Sequence, residues 1–80
     1  MASKILIIGA CGQIGTELTM ALREKHGNNN VIACDIREGN EGLMASGPFE
    51  IADATNYSQI QDLVIQYEIE EVYLMAAMLS

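Results

Sequence analysis

One short stretch limits the folds open to this chain more than any other: "ILIIGACGQIG", Ile5 to Gly15. Its four leading apolar residues are typical of a strand buried on both faces of a parallel sheet. Gly9, Gly12 and Gly15 follow at intervals of three, and apolar residues then recur at helical spacing as far as His26. Glycines at a strand-to-helix turn allow backbone to approach a ligand closely. The stretch therefore predicts an α/β fold with a ligand-binding turn.

The rest of the chain continues the alternation of strands and helices. Because each connection must return the chain to the same end of the sheet, the strands are expected to be parallel. Right-handed crossovers then give the strand order 3-2-1-4, with one helix on each face. We therefore expect one domain, residues 1–80, with a four-stranded parallel sheet. The pattern predicts strands at 5–8, 31–34, 49–52 and 71–76, helices at 13–26 and from about 56–58 to 68, and a loop at 37–48.

The three glycines suggest a diphosphate as the ligand. Free N–H groups and the dipole at a helix N-terminus attract phosphate without any basic side chain, which suits an acidic protein. A P-loop would require a Lys-Ser/Thr pair after the last glycine, but Thr16 and Glu17 follow Gly15 here.

Two acidic residues stand where a dinucleotide needs hydrogen-bond acceptors. Asp35 ends the second strand twenty residues after Gly15, where a carboxylate can bind ribose hydroxyls and repel a 2'-phosphate. This favours NAD over NADP, although Arg37 could swing toward such a phosphate. Asp53 ends the third strand and could accept a hydrogen bond from the adenine amino group, with the Ala54 N–H facing the ring. The alternative is that Asp53 is an acid at the start of a helix.

Composition and charge argue against several other classes. Eleven acidic and four basic residues give a net charge of -7 with no basic cluster, so neither nucleic acid nor a membrane is an expected partner. Cys11 and Cys34 with a lone His26 cannot supply four zinc ligands, and we expect no metal and two free thiols, with Cys11 somewhat acidic near a helix terminus. No signal peptide or 18-residue apolar run is apparent, so a cytoplasmic protein is expected.

Four segments in this order and spacing, "IIGACGQIGTEL", "VIACDIRE", "GPFEIADAT" and "VYLMAAMLS", resemble the start of the extended short-chain dehydrogenase/reductases. More narrowly, the chain is similar to the bacterial L-threonine 3-dehydrogenases, which share their fold with UDP-galactose 4-epimerase. The resemblance implies half of a Rossmann fold, NAD as cofactor, and a parent reaction that oxidises L-threonine to 2-amino-3-ketobutyrate. The cofactor-binding residues that it implies are Gly9, Cys11, Gly12, Gln13, Ile14 and Gly15 for the diphosphate, Asp35 for the ribose with Ile36 and Arg37 following it, Asp53 and Ala54 for adenine, and Met75, Ala76 and Ala77 beside the cofactor backbone. Ser80 would begin the substrate site.

The catalytic half of that family has no counterpart in these residues. Its hydride chemistry uses a Tyr-x-x-x-Lys pair, in which the lysine lowers the tyrosine pKa. Four residues beyond Tyr57, Tyr67 and Tyr73 stand Gln61, Glu71 and Ala77, so no catalytic residue is predicted. We expect a truncated first half of a threonine dehydrogenase that binds the dinucleotide at most.

Three other interpretations stay open at this point. They are a stand-alone module that binds NAD or another adenosine ligand, a fragment of a nucleotide-sugar epimerase, and, more distantly, an S-adenosylmethionine-binding domain. Strand four, "EVYLMA", would end the sheet as an apolar edge, so we also expect a homo-oligomer that forms through this edge.

Overall fold

The computed structural model describes residues 3–75, in which all strands are parallel and lie in the order β3-β2-β1-β4. The predicted sheet and strand order are confirmed. In the register, Ile5 of the first strand lies opposite Val31 on one side and Glu71 on the other. The elements are β1 (Ile5–Ile8), α1 (Gln13–His26), a 3-10 turn (Asn28–Asn30), β2 (Val31–Asp35), α2 (Glu41–Ser46), β3 (Phe49–Ile51), α3 (Tyr57–Gln66) and β4 (Glu71–Leu74).

Strands β1 and β2 are buried on both faces of the sheet, as their continuous apolar sequences predict. On one face, Ile5 and Ile7 pack in a cluster with Leu18 of α1 and Leu43 of α2. On the other face, alternate residues of the same strands pack in a second cluster with Leu63 of α3. The two long helices therefore cover opposite faces, and the ends of the buried strands are fixed relative to both.

The predicted loop over 37–48 was wrong for its central part, because Glu41–Ser46 forms the short helix α2. The Asn40 side chain caps this helix by accepting a hydrogen bond of 2.8 Å from the Leu43 N–H. Leu43 itself is completely buried against the sheet. Helix α2 has about one and a half turns and contains a glycine, so it is too short to show helical periodicity in the sequence.

A buried arginine of α1 holds this short helix in place. Only 2% of Arg23 is exposed, and burial lowers the pKa of its guanidinium. Its N–H groups donate to the carbonyl oxygens of Val31 (3.1 Å), Leu43 (2.8 Å) and Pro48 (2.6 Å), and to the Ser46 hydroxyl (2.9 Å). Carbonyls at the end of a helix need such donors and favour a positive charge. Arg23 thus joins α1 to β2, α2 and the entry to β3.

Strand β4 is an edge of the described sheet. Val72 and Leu74, which lie on the α3 side of the sheet, are 49% and 54% exposed. Self-association through this edge stays a prediction. None of the helices within residues 3–75 has the length and apolar character needed to cross a lipid bilayer.

Replacing Arg23 by methionine should lower the free energy of unfolding by about 3 kcal/mol, since buried carbonyls lose their donors while the aliphatic volume is largely kept. Urea denaturation followed by circular dichroism measures this change. The matched control is Lys25→Met on the same helix, where the side chain is exposed and a change within about 0.5 kcal/mol is expected. Equal stability of the two variants would contradict the role given to Arg23.

Candidate functional site: a cleft at the carboxyl ends of the strands

The carboxyl ends of the four strands border one cleft of about 430 Å³. This volume falls in the range of roughly 300–1,000 Å³ that is usual for small-molecule sites. The cleft lies beside β1. From β1 the chain adds β2 and β3 on one side and then β4 on the other, and ligands of open α/β sheets bind at such a switch point. The predicted residues that line it are Gly9 and Gly12 from the glycine turn, Asp35, Ile36 and Arg37 after β2, Asp53 and Ala54 after β3, and Met75 after β4.

The turn between β1 and α1 depends on two of its glycines for its shape. Gly9 has a φ of 86°, a left-handed conformation that favours glycine. The N–H groups of Gly9 and Ala10 both donate to the Cys34 carbonyl, at 2.8 and 3.1 Å, which fixes the turn above β2. A Cβ on Gly15 would collide with the Gly9 carbonyl, so α1 packs directly on the turn. The Thr16 hydroxyl of α1 also bonds to the turn, by donating to the Ala10 carbonyl at 2.8 Å.

Gly12 has a different role, because its missing side chain leaves open space. It is the N-cap of α1, and a Cβ built on it would have the Gly9 carbonyl oxygen as its nearest neighbour, at 4.0 Å. No side chain caps the helix here, and its first turn carries no acidic residue. The first N–H groups of a helix have no partner within the helix, and the helix dipole adds positive potential. The open side of Gly12 therefore leaves room for a ligand at the first N–H groups of α1, which are suited to phosphate.

Asp35 connects this turn to the end of β2. Its Oδ2 accepts a hydrogen bond of 2.9 Å from the Cys11 N–H, and its Oδ1 accepts one of 2.7 Å from the Ile36 N–H. Each oxygen of an ionised carboxylate has two acceptor positions, so both oxygens keep capacity for a ligand. The carboxylate lines the cleft, where it is suited to the paired hydroxyls of a ribose.

The remaining predicted residues of the turn do not line the cleft with their side chains. Gln13 and Ile14 are exposed on α1, and Gly15 is buried beneath the turn. These three residues could therefore contact a phosphate only through their backbone N–H groups. The Cys11 side chain is half-buried, and its thiol donates to the Arg37 carbonyl at 3.1 Å.

The expectation that a helix terminus makes the Cys11 thiol acidic was wrong. Burial, followed by the nearby Asp35 carboxylate, raises the pKa of Cys11, while Arg37 lowers it less. Burial also raises the pKa of Cys34, to about 11. Desolvation and a neighbouring anion both disfavour a thiolate, so both groups stay protonated at neutral pH.

Asp53 is fixed by its neighbour Thr55, whose N–H and hydroxyl donate to Asp53 Oδ1 at 2.8 and 2.7 Å. These hydrogen bonds lower the pKa of the exposed Asp53 carboxyl and keep it ionised. The alternative placement of Asp53 at a helix start is not what the structure shows, because Asn56 caps α3 by accepting from the Gln59 N–H at 3.2 Å. Asp53 lines the cleft, and its Oδ2 takes part in none of the hydrogen bonds among the described residues.

Sequence reasoning missed three residues that line the cleft: Ile8, Ala52 and Thr55. Ile8 is the last residue of β1 and Ala52 directly follows β3, so their positions at strand ends were a usable signal. The pattern Asp-x-Thr is a recognised local hydrogen-bonding turn and could have indicated Thr55. The predicted residues Ala76, Ala77 and Ser80 lie outside the described residues. Within residues 3–75, no three His, Cys, Asp or Glu side chains are grouped so as to hold a metal ion.

Solved structures with the same fold include several L-threonine dehydrogenases. An L-threonine dehydrogenase from Clostridium difficile superimposes with a TM-score of 0.89 and 42% identity, over 99% of this chain and 25% of the other. A partial consensus L-threonine 3-dehydrogenase gives 0.87 and 47% identity, over 96% and 24%. A GalE-like L-threonine dehydrogenase from Cupriavidus necator, in its holo form, gives 0.86 and 42%, over 96% and 25%.

Sequence relatives agree with this relationship. An uncharacterised epimerase/dehydratase of Staphylococcus saprophyticus is 49% identical over 78 residues, and one of Staphylococcus aureus is 47% identical over the same length. In both cases the match covers 96% of this chain and 24% of the relative, so the chain spans about a quarter of the length of these proteins. The prediction of NAD as the cofactor is confirmed for the family, whose sequence profile matches residues 5–80. The chain belongs to the NAD dependent epimerase/dehydratase family.

Proposed function

We propose that this chain is the NAD-binding part of an oxidoreductase that converts L-threonine to 2-amino-3-ketobutyrate. The observation that carries the proposal is the bond between the Asp35 carboxylate and the glycine turn, at 2.9 Å. It supports the proposal because it holds a carboxylate next to a helix start with no side-chain cap on one cleft, an arrangement suited to a ribose and a phosphate. The substrate is supported by structural neighbours named L-threonine dehydrogenases at 42–47% identity.

The residues present fit a dinucleotide by the chemistry of their donors and acceptors. The N–H groups at the start of α1 suit the diphosphate, and the open side of Gly12 allows it to approach. Asp35 supplies acceptors for the adenosine ribose, and Asp53 supplies one for the adenine amino group. NAD, when bound, supplies the hydride acceptor of the reaction. These residues bind and orient the cofactor.

These 80 residues contain no Tyr-x-x-x-Lys pair to transfer a proton. We expect the chain alone to bind NAD without oxidising threonine.

A nucleotide-sugar epimerase is the second candidate, favoured by the curated relatives, which are named epimerase/dehydratases. The two activities would share this cleft. They differ in the substrate that is oxidised, so assays with L-threonine and with a nucleotide sugar, run on a full-length enzyme that contains these residues, distinguish them.

A cytoplasmic location is also part of the proposal. Cys11 and Cys34 are both free thiols in the structure. Free thiols are usual in proteins of reducing compartments, which supports this location.

The chain should bind NAD more tightly than NADP, because the Asp35 carboxylate repels a 2'-phosphate. Removing the carboxylate in Asp35→Ala should weaken NAD binding by about 1.5–3 kcal/mol while NADP binding changes less. Isothermal titration calorimetry with both dinucleotides measures the two affinities. Glu38→Ala is the matched control, since this carboxylate is exposed outside the cleft. Equal affinities of the unaltered chain for NAD and NADP would contradict the proposal.

Two glycine variants should separate ligand binding from folding. Gly12→Val fills the open side of the turn, so NAD binding should be lost while the free energy of unfolding changes by less than about 1 kcal/mol. Gly15→Val forces α1 away from the Gly9 carbonyl and should lower the free energy of unfolding by about 1–3 kcal/mol or more. Urea denaturation and NAD titration of both variants test this contrast. Undiminished NAD binding by Gly12→Val would show that the ligand does not contact this turn.

A further inference from the structure

Cys11 makes two hydrogen bonds to the segment 35–37, which contains the proposed ribose acceptor Asp35. Its backbone N–H donates to Asp35 Oδ2 at 2.9 Å, and its thiol donates to the Arg37 carbonyl at 3.1 Å. The two acceptors flank Ile36, which is 66% exposed. We call residues 35–37 the selectivity turn, because Asp35 and Arg37 are the acidic and basic groups that a 2'-phosphate would meet. One residue of the glycine turn therefore contacts both ends of the selectivity turn.

The other side-chain hydrogen bonds around the selectivity turn are local to it. The Ile36 N–H donates to its neighbour Asp35, and the Gly39 N–H donates to the Met44 sulfur at 3.4 Å. Neither bond reaches the glycine turn. Backbone hydrogen bonds from Gly9 and Ala10 hold Cys34, just before this turn. Among the described residues, the bond from the Cys11 thiol is the one that joins the backbone of Arg37 itself to the glycine turn.

The thiol is equipped to act as a hydrogen-bond donor in this position. Burial and the Asp35 carboxylate raise the pKa of Cys11, so the S–H proton is retained at neutral pH. The sulfur lies close to Gly39, on which a Cβ would be 3.4 Å from it, and Cys11 packs against the apolar cluster that contains Leu43. The side chain is therefore held between the glycine turn and the segment that leads into α2.

We propose that Cys11 is a positioning residue for dinucleotide selectivity. By fixing the Arg37 backbone, its thiol limits the positions open to the guanidinium, which lies close to the thiol. Without that restraint, Arg37 is free to approach a 2'-phosphate and offset the repulsion from Asp35. The inference rests on the proposed function, since it concerns how the same cleft distinguishes NAD from NADP.

The test compares the ratio of the NADP and NAD dissociation constants in four proteins: the unaltered chain, Cys11→Ala, Cys11→Ser and Cys34→Ala. Loss of one hydrogen bond in Cys11→Ala should reduce the ratio by about three- to tenfold. Cys11→Ser keeps a donor and should retain most of the selectivity. Cys34→Ala removes a buried thiol from the opposite side of the sheet and should leave the ratio unchanged. An unchanged ratio in Cys11→Ala overturns the proposal.

A measurement without ligand separates this inference from the proposed function. Hydrogen exchange of the Ile36 amide, followed by NMR, should be faster in Cys11→Ala than in the unaltered chain and in Cys11→Ser, because the selectivity turn loses its restraint. Equal exchange rates in all three proteins overturn the positioning role. Failure of the unaltered chain to bind either dinucleotide would contradict the proposed function, and faster exchange in Cys11→Ala would still support the restraint of the turn.

Discussion

The hydrogen bond from the Cys11 N–H to the Asp35 carboxylate is the contact on which the rest of the site depends. It joins the turn after β1 to the end of β2, so the start of α1, proposed to bind the diphosphate, and the carboxylate proposed to bind the ribose are fixed relative to each other. A loop that is ordered before the ligand arrives loses less conformational entropy on binding. The carboxylate that we propose for the ribose therefore also preorganises the turn that we propose for the diphosphate.

A buried cation holds the segment of the chain that follows Asp35. Arg23 ties α1 to the start of β2 and to the end of α2 through carbonyl groups rather than through a carboxylate. Neutral acceptors can satisfy a buried guanidinium when several converge on it, which lowers the cost of taking the charge out of water. In an acidic chain, this arrangement places a positive charge where it stabilises the segment between Asp35 and β3.

The sequence could predict the elements whose residue pattern extends over several positions, but not those that depend on one residue or one short turn. The apolar run of β1 and the periodicity of α1 each span several residues, and the strand and the helix that they predict are confirmed in the structure. Helix α2 is too short for such a pattern, and Arg23 cannot be distinguished in the sequence from an exposed basic residue. The contact from Cys11 uses a backbone N–H, which every residue except proline possesses, so no side-chain motif indicates it.

An NMR titration of the isotopically labelled chain with NAD tests the central claim most directly, because each backbone amide reports its own environment. The account predicts the largest chemical-shift changes at the amides of Gly12, Gly15 and Ile36, with little change at Lys25, at the far end of α1. Saturable changes in these amides would support binding at the junction of the glycine turn and Asp35. Largest changes elsewhere in the fold, or none at a concentration of NAD that saturates related enzymes, would contradict it.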